Sequence, residues 1–365
     1  MAFSERVARW SAPVELPGDV TGAVGDSVTV VPVVVALAAL SDVALAPVLV
    51  WFGVAQVVWG AYYGVPVSVE PMKALAALAI AGSLSASGLA AAGLLVGAVL
   101  LVVGATGLLD SIDHLVSQAV VRGVQLAVAL VLFETAVGLG ANDPALAGVA
   151  VLVALAVAVV SVRASALAVV AAGAAIALVD VGGVTPSVPA FSLAIPSTAA
   201  LLDAATVEAA VGQLAMSVGN AAVATALLLD EYFAADATAD DLAASMGVMN
   251  LLAVPLGAIP MCHGSGGVAG KYAFGARTAA ANAVLGVLYV LAAVVAVGVV
   301  AAFPMAMLGV VLAAVAAQLA HTSLDTDQYA LTVGVGAGGL FAGVGVAFFA
   351  GLLADFGRRR LRARS

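Results

Sequence analysis

Gly257-Ala-Ile-Pro-Met-Cys-His-Gly-Ser-Gly-Gly-Val-Ala-Gly-Lys271 interrupts a long apolar tract with a proline, the chain's only cysteine, one of its three histidines and a cluster of glycines. These residues suit neither a regular helix nor hydrocarbon. Irregular backbone at membrane depth persists only where protein buries it or water lines it, so a break of this kind marks a binding site. The stretch predicts a broken membrane segment over 257–276 that supplies half of an anion site.

Composition sets the membrane context. Of 365 residues, 64% are hydrophobic and 9% charged, and the mean hydropathy of +1.21 lies far outside the range of soluble domains. A spanning helix takes about 20 apolar residues, which admits at most roughly 14 segments with short loops. The expected fold is an all-α polytopic protein of the lipid bilayer.

The first nineteen residues carry Glu5, Arg6, Arg9, Glu15 and Asp19 without an apolar core of signal-peptide length. Arg358, Arg359, Arg360, Arg362 and Arg364 follow the last apolar tract. The positive-inside tendency then puts both termini of a multi-pass cell-membrane protein in the cytoplasm, with 1–19 and 356–365 as the terminal segments. One cysteine excludes an intramolecular disulfide and a multi-cysteine metal site. No metal, cofactor or nucleic-acid partner is expected. The net charge of -9 gathers in connections such as Asp110 to Asp113 and Asp230 to Asp241. That pattern suits a high-salt cytoplasm, where charges are screened over about 3 Å at ~1 M salt.

Along the chain, apolar runs cover 20–40 and 43–63. Asp26 falls inside the first, where it either faces the protein interior or caps a helix near the interface. Val65 to Val69 reads as an extended strip, Pro71 as the first turn of a helix, and the alanines from Ala74 as its continuation, giving a broken third segment over 64–82. Apolar regions at 89–109 and 116–139, and a pair over 145–181 split near Arg163, complete a first half over 20–183. A proline-containing connection, 184–204, leads to the second half, 205–355. There Gln213, Ser217 and Asn220 share one helical face, as ligands or as helix-to-helix contacts. Runs at 242–256, 278–302 and 305–320 follow, and Gly338-Gly339 is read as dividing the last region, 329–353.

Pro66 and Pro260 each precede a half-helix 194 residues apart, and Gly123 and Gly309 recur 186 apart, near half the chain length. Seven segments per half, an odd number, set the second half inverted relative to the first. Two broken segments then enter from opposite sides. Each half-helix N-terminus offers unpaired N–H groups and roughly half a positive charge, which suits a small anion. Gly264 and Gly266 allow close backbone approach, and Ser265 can donate.

Pro260 to Arg277 closely resembles the second signature of the molybdate transporter family, relatives of the sulfate permeases, and Val65 to Lys73 resembles the first. Gly22 to Asp26, Val121 to Gln125 and Met249-Asn250 add supporting matches. The resemblance implies the inverted seven-plus-seven fold of sulfate permeases and nucleobase carriers, with broken third and tenth helices flanking the substrate. It implies substrate contacts from Ser68, Glu70, Met72, Cys262, His263, Gly264, Ser265 and Gly266, joined by Gln213 and Asn220. The family usually has glutamine where this chain has Glu70, and a carboxylate repels an oxyanion. Glu70 is therefore a candidate for proton coupling, with Asp26 as the second candidate, or else a partner of Lys73 three residues on.

Cys262 beside His263 lacks the further ligands that zinc needs. His263 reads as an orienting hydrogen-bond group and Cys262 as a packing residue. Lys73 and Lys271 either steer an anion or snorkel to an interface, snorkelling being favoured for Lys271. The function expected is uptake of molybdate by alternating access, with protons as the candidate coupling ion. Sulfate transport, an anion channel and a membrane sensor are the alternatives. An enzyme is not expected, because no nucleophile and base pair up. A homodimer is the remaining partner left open.

Overall fold

The computed structural model describes residues 16–109 and 117–362. The segment before residue 16, the Asp110 to Asp113 cluster and Arg364 lie outside them. The first half contains α1 (Leu16–Leu40), α2 (Leu45–Tyr63), a strip ending in β1 (Glu70–Pro71), the half-helix α3 (Lys73–Ile80), α4 (Ala86–Thr106), α5 (Gln118–Asn142), α6 (Pro144–Ala158) and α7 (Val162–Asp180). A connection carrying the short α8 (Thr198–Leu202) follows. The second half contains α9 (Ala204–Met216), running through a π-helical segment (Ser217–Val223) into α10 (Ala224–Phe233). It continues with α11 (Ala239–Ala253), β2 (Met261–Cys262), the half-helix α12 (Ser265–Ala273), α13 (Ala280–Val295), α14 (Val297–Ala301), α15 (Met305–Ser323), α16 (Tyr329–Ala342) and α17 (Val344–Arg362).

Among the described residues, α2, α4, α5, the continuous 204–233 helix and α15 are long and apolar enough to cross a membrane. α1 bends by 42° between Val28 and Val30. Pro32 explains the bend, since it lacks the N–H that would bond the Val28 carbonyl. Local signals set most ends. Asp143 caps α6, its carboxylate accepting from Leu146 N at 3.0 Å with Pro144 at the first helical position. Thr238 and Asp241 form a reciprocal capping box on α11.

The packing repeats under exchange of the two halves. α2 lies on α13 as α11 lies on α4; α1 meets α12 as α9 meets α3; α6 and α7 pair as α16 and α17 do. α5 and α15 pack on each other, and β1 pairs antiparallel with β2, so both contacts lie on the pseudo-symmetry axis. The seven-plus-seven inverted architecture is thus present, with β1-α3 and β2-α12 as its broken third and tenth segments. Close helix approach rests on small residues: a Cβ on Gly53 of α2 would lie 2.7 Å from the Gly286 carbonyl oxygen of α13.

Three expectations are corrected. Pro71 lies in β1, not in a helical turn; the helix begins at Lys73 because Met72 N still donates to Pro260 O, at 2.9 Å. Val65 to Val69 forms no ladder: it opens on a tight turn at Pro66, where Val67 N donates to Val65 O at 2.7 Å, and pairing starts only at Glu70. The last apolar region divides at Gly343 rather than at Gly338-Gly339. Gly343 has φ 97, and a Cβ there would collide with the Glu208 carboxylate, so glycine alone fits the break.

Candidate functional site

Both broken segments converge on the two-residue ladder. Glu70 stands opposite Cys262 and Pro71 opposite Met261. Asn250 of α11 fixes β2 from behind: its amide nitrogen donates to Met261 O at 2.6 Å and its amide oxygen accepts from Met261 N at 2.8 Å. The strand exits point the chain into α3 through Met72 and into α12 through Gly264.

The two half-helix N-termini are treated differently. On α3, the Gln213 side-chain oxygen accepts from Ala74 N at 3.0 Å and Leu75 N at 3.4 Å, so a neutral amide already serves the orphan donors. On α12, the N-cap is Gly264, which has no side chain of its own. Its first turn lies instead under acidic oxygens. A Cβ on Gly264 would run into the Glu70 carboxylate, and one on Gly267 would meet Ser68 Oγ, Asp26 Oδ1 and Glu70 Oε1. Ser265 Oγ donates to Asn220 Oδ1 at 2.9 Å.

Two ion pairs hold these charges. Asp26, inside α1 and not at its cap, accepts from Gln56 at 2.8 Å and Ser68 at 2.5 Å and faces Lys271 Nζ at 3.3 Å. Lys271 donates to Val67 O at 2.6 Å, Gln56 Oε1 at 2.9 Å and Asn282 Oδ1 at 3.1 Å. Both side chains are 0% exposed, so the snorkelling expected of Lys271 is corrected: its ammonium finds a full set of acceptors inside. Lys73 pairs with Glu70 Oε2 at 2.5 Å, the local pairing that the sequence left open.

A cavity of about 80 Å³ opens where α12 meets α5 and α15, walled by Lys73, Gln125, Asn220, Ser265, Gly266 and Gln318. Of the expected ligands, Asn220, Ser265 and Gly266 line it. Glu70 and Gly264 adjoin its Ser265-Gly266 wall; Ser68, Met72, Cys262, His263 and Gln213 are buried behind it and are not among its lining residues. The Ser68 carbonyl can only accept, so His263 carries its proton on Nδ1, 2.9 Å away, and its Nε2 takes one from Ser245 Oγ at 2.8 Å. Cys262 is buried with its Sγ 3.8 Å from Pro71 O. Gln56, Asn282, Ser245 and Gln318 escaped the sequence reading, and Gln125 entered it only as the end of a supporting match. Gln56 and Asn282 carried a usable signal, as isolated amides within apolar helices.

The family model for the molybdate transporter of the MFS superfamily matches residues 18–132 and again 205–319. The chain belongs to the molybdate transporter family. The two matched stretches of this family member start 187 residues apart, at 18 and 205, which is the spacing of Asp26 and Gln213. The sequences Gly22-Ala-Val-Gly-Asp26 and Ala209-Ala-Val-Gly-Gln213 are then copies of one element, each delivering its last residue to a half-helix of the other half. The family member is 30% identical to Molybdate transporter 2 of Arabidopsis thaliana over 86% of this chain and 80% of that protein. It is 32% identical to Molybdate transporter 1 of the same plant over 85% and 80%.

Its fold resembles the transmembrane domain of the cyanobacterial bicarbonate transporter BicA, with TM-score 0.62, 16% identity, and 93% and 97% of the two chains covered. It also resembles the murine Solute Carrier 26 family member A9 anion transporter in the inward-facing state, with TM-score 0.71, 12% identity, and 99% and 71% covered. The MFS label of the family therefore does not describe the architecture. MFS transporters pair two parallel six-span halves, whereas this chain inverts two seven-segment halves.

Proposed function

We propose that the protein is a secondary active transporter that takes up molybdate across the cell membrane by alternating access, with sulfate as the competing oxyanion. The observation that carries this reading is the N-terminus of α12, begun by Gly264 at the edge of a polar cavity. Its amides and dipole favour an anion, Ser265 and Gln125 offer hydrogen-bond groups, and Lys73 supplies a full positive charge. The two Arabidopsis relatives, named as molybdate transporters, support molybdate as the tetrahedral dianion.

In this reading α1 to α4 with α9 to α13 form the body that holds the site, and α5 to α7 with α15 to α17 form the gate that it moves against. The inverted repeats are 20–183 and 205–355, joined by 184–204, and both termini are cytoplasmic. Glu70 couples transport to protons: its carboxylate adjoins the cavity beside α12, so the dianion binds when Glu70 accepts a proton or turns fully to Lys73. Asp26 already faces Lys271 and is the fixed charge.

Counterflow in proteoliposomes tests the reading. Internal unlabelled molybdate should accelerate entry of labelled molybdate, with saturation. Non-saturating flux without counterflow would identify a channel instead.

A further inference from the structure

A second cavity of about 90 Å³ adjoins the first, lined by Gln118, Arg122, Gln125, Gly219, Asn220 and Val223 among others. Gln125 and Asn220 belong to both cavities. The two spaces lie on either side of these shared side chains and mark the course of a polar route, with exposed Gln118 at its outer end and buried Gln125 between them. One wall is the π-helical segment, whose widened turn presents Gly219 and Asn220; such bulges recur at functional sites.

Arg122 gives the route its sign. It sits one turn into α5, and Glu134 of the same helix is twelve residues away, too far to pair with it. Among the described residues no carboxylate bonds its guanidinium, and neither cavity has an acidic side chain in its lining. A guanidinium in a membrane helix is costly unless it meets water or a counter-anion, and its planar fork matches an oxyanion's edge. We propose that this cavity is an anion vestibule in which Arg122 captures the oxyanion on its way between solution and the α12 site. The inference rests on the oxyanion-carrier reading and adds a second station to it.

The test places a reporter thiol at the mouth, Gln118→Cys, in a Cys262→Ala background, so that the introduced thiol is the only one. Its labelling rates with an anionic sulfonatoethyl and a cationic trimethylammonium-ethyl methanethiosulfonate are each divided by the rates for a free thiol in solution. The anionic reagent should be favoured, and Arg122→Gln should cut that preference several-fold at low ionic strength. Arg122→Lys should keep most of it, and molybdate should slow labelling in the Arg122 protein and less in Arg122→Gln. An anion preference identical in the Arg122, Lys and Gln forms overturns the vestibule. An Arg122-dependent preference with protection by sulfate but not molybdate upholds the vestibule and overturns molybdate as the substrate.

Discussion

The carboxylate of Glu70 lies over Gly264, in the space that any side chain at 264 would have to fill. With Asp26 and Ser68 it forms a ring of oxygens around the first turn of α12, where the helix end attracts negative charge. Glu70 acts there as an internal anion, held on its other side by Lys73. In the proposed function, an entering dianion would compete with it directly.

Glu70→Gln keeps the shape of that side chain and removes the competing charge. The predicted result is equal initial uptake of labelled molybdate with and without an inward proton gradient, in a wild type that the gradient drives. Gradient-dependent uptake surviving in the variant would assign coupling to another group.

Lys271→Met leaves the Asp26 carboxylate buried without its cation, at a cost of about 3–5 kcal/mol for half of a buried pair. Adding Asp26→Asn should recover part of that loss, because an uncharged amide needs no counter-charge. Thermal unfolding in detergent reads both. A double variant no more stable than Lys271→Met would deny the pair its role in holding α1 to α12.

Gln213→Leu strips the cap from α3 and leaves the Ala74 and Leu75 amides without their acceptor. The expected loss is about 1–2 kcal/mol. Hydrogen exchange at the start of α3 should rise while α12, which Gln213 does not reach, stays as protected as before. Unchanged exchange at α3 would mean that the cap contributes nothing to the half-helix.

The membrane class, the two breaks and the inverted repeat were legible because apolar length, proline and glycine placement, and an odd segment count are local properties of the chain. For Asp26 the interior was one of two readings that the sequence left open, since a carboxylate in an apolar run either faces inward or caps a helix near the interface. The fate of Lys271 was not legible. Its neighbours in sequence include Arg277, which suggested an interface, whereas its acceptors Gln56, Val67 and Asn282 come from distant segments. Gln213 shows the same limit, since its spacing from Ser217 and Asn220 gave a shared face but not that the face would serve both half-helices. The Asp26 and Gln213 equivalence was present in the sequence as two Ala-Val-Gly elements, yet offsets measured at other motifs, 194 and 186, blurred the register that the family match makes plain.

The most direct test of the central claim, an oxyanion site at the N-terminus of α12, is equilibrium binding of molybdate to purified protein, with sulfate and tungstate as competitors. It should be measured in the wild type, in Gly264→Leu and in the control Gly138→Leu, where the position has open space around it. Binding should saturate in the wild type and in the control, and be lost in Gly264→Leu. Molybdate binding in a folded Gly264→Leu as tight as in the wild type would contradict the claim.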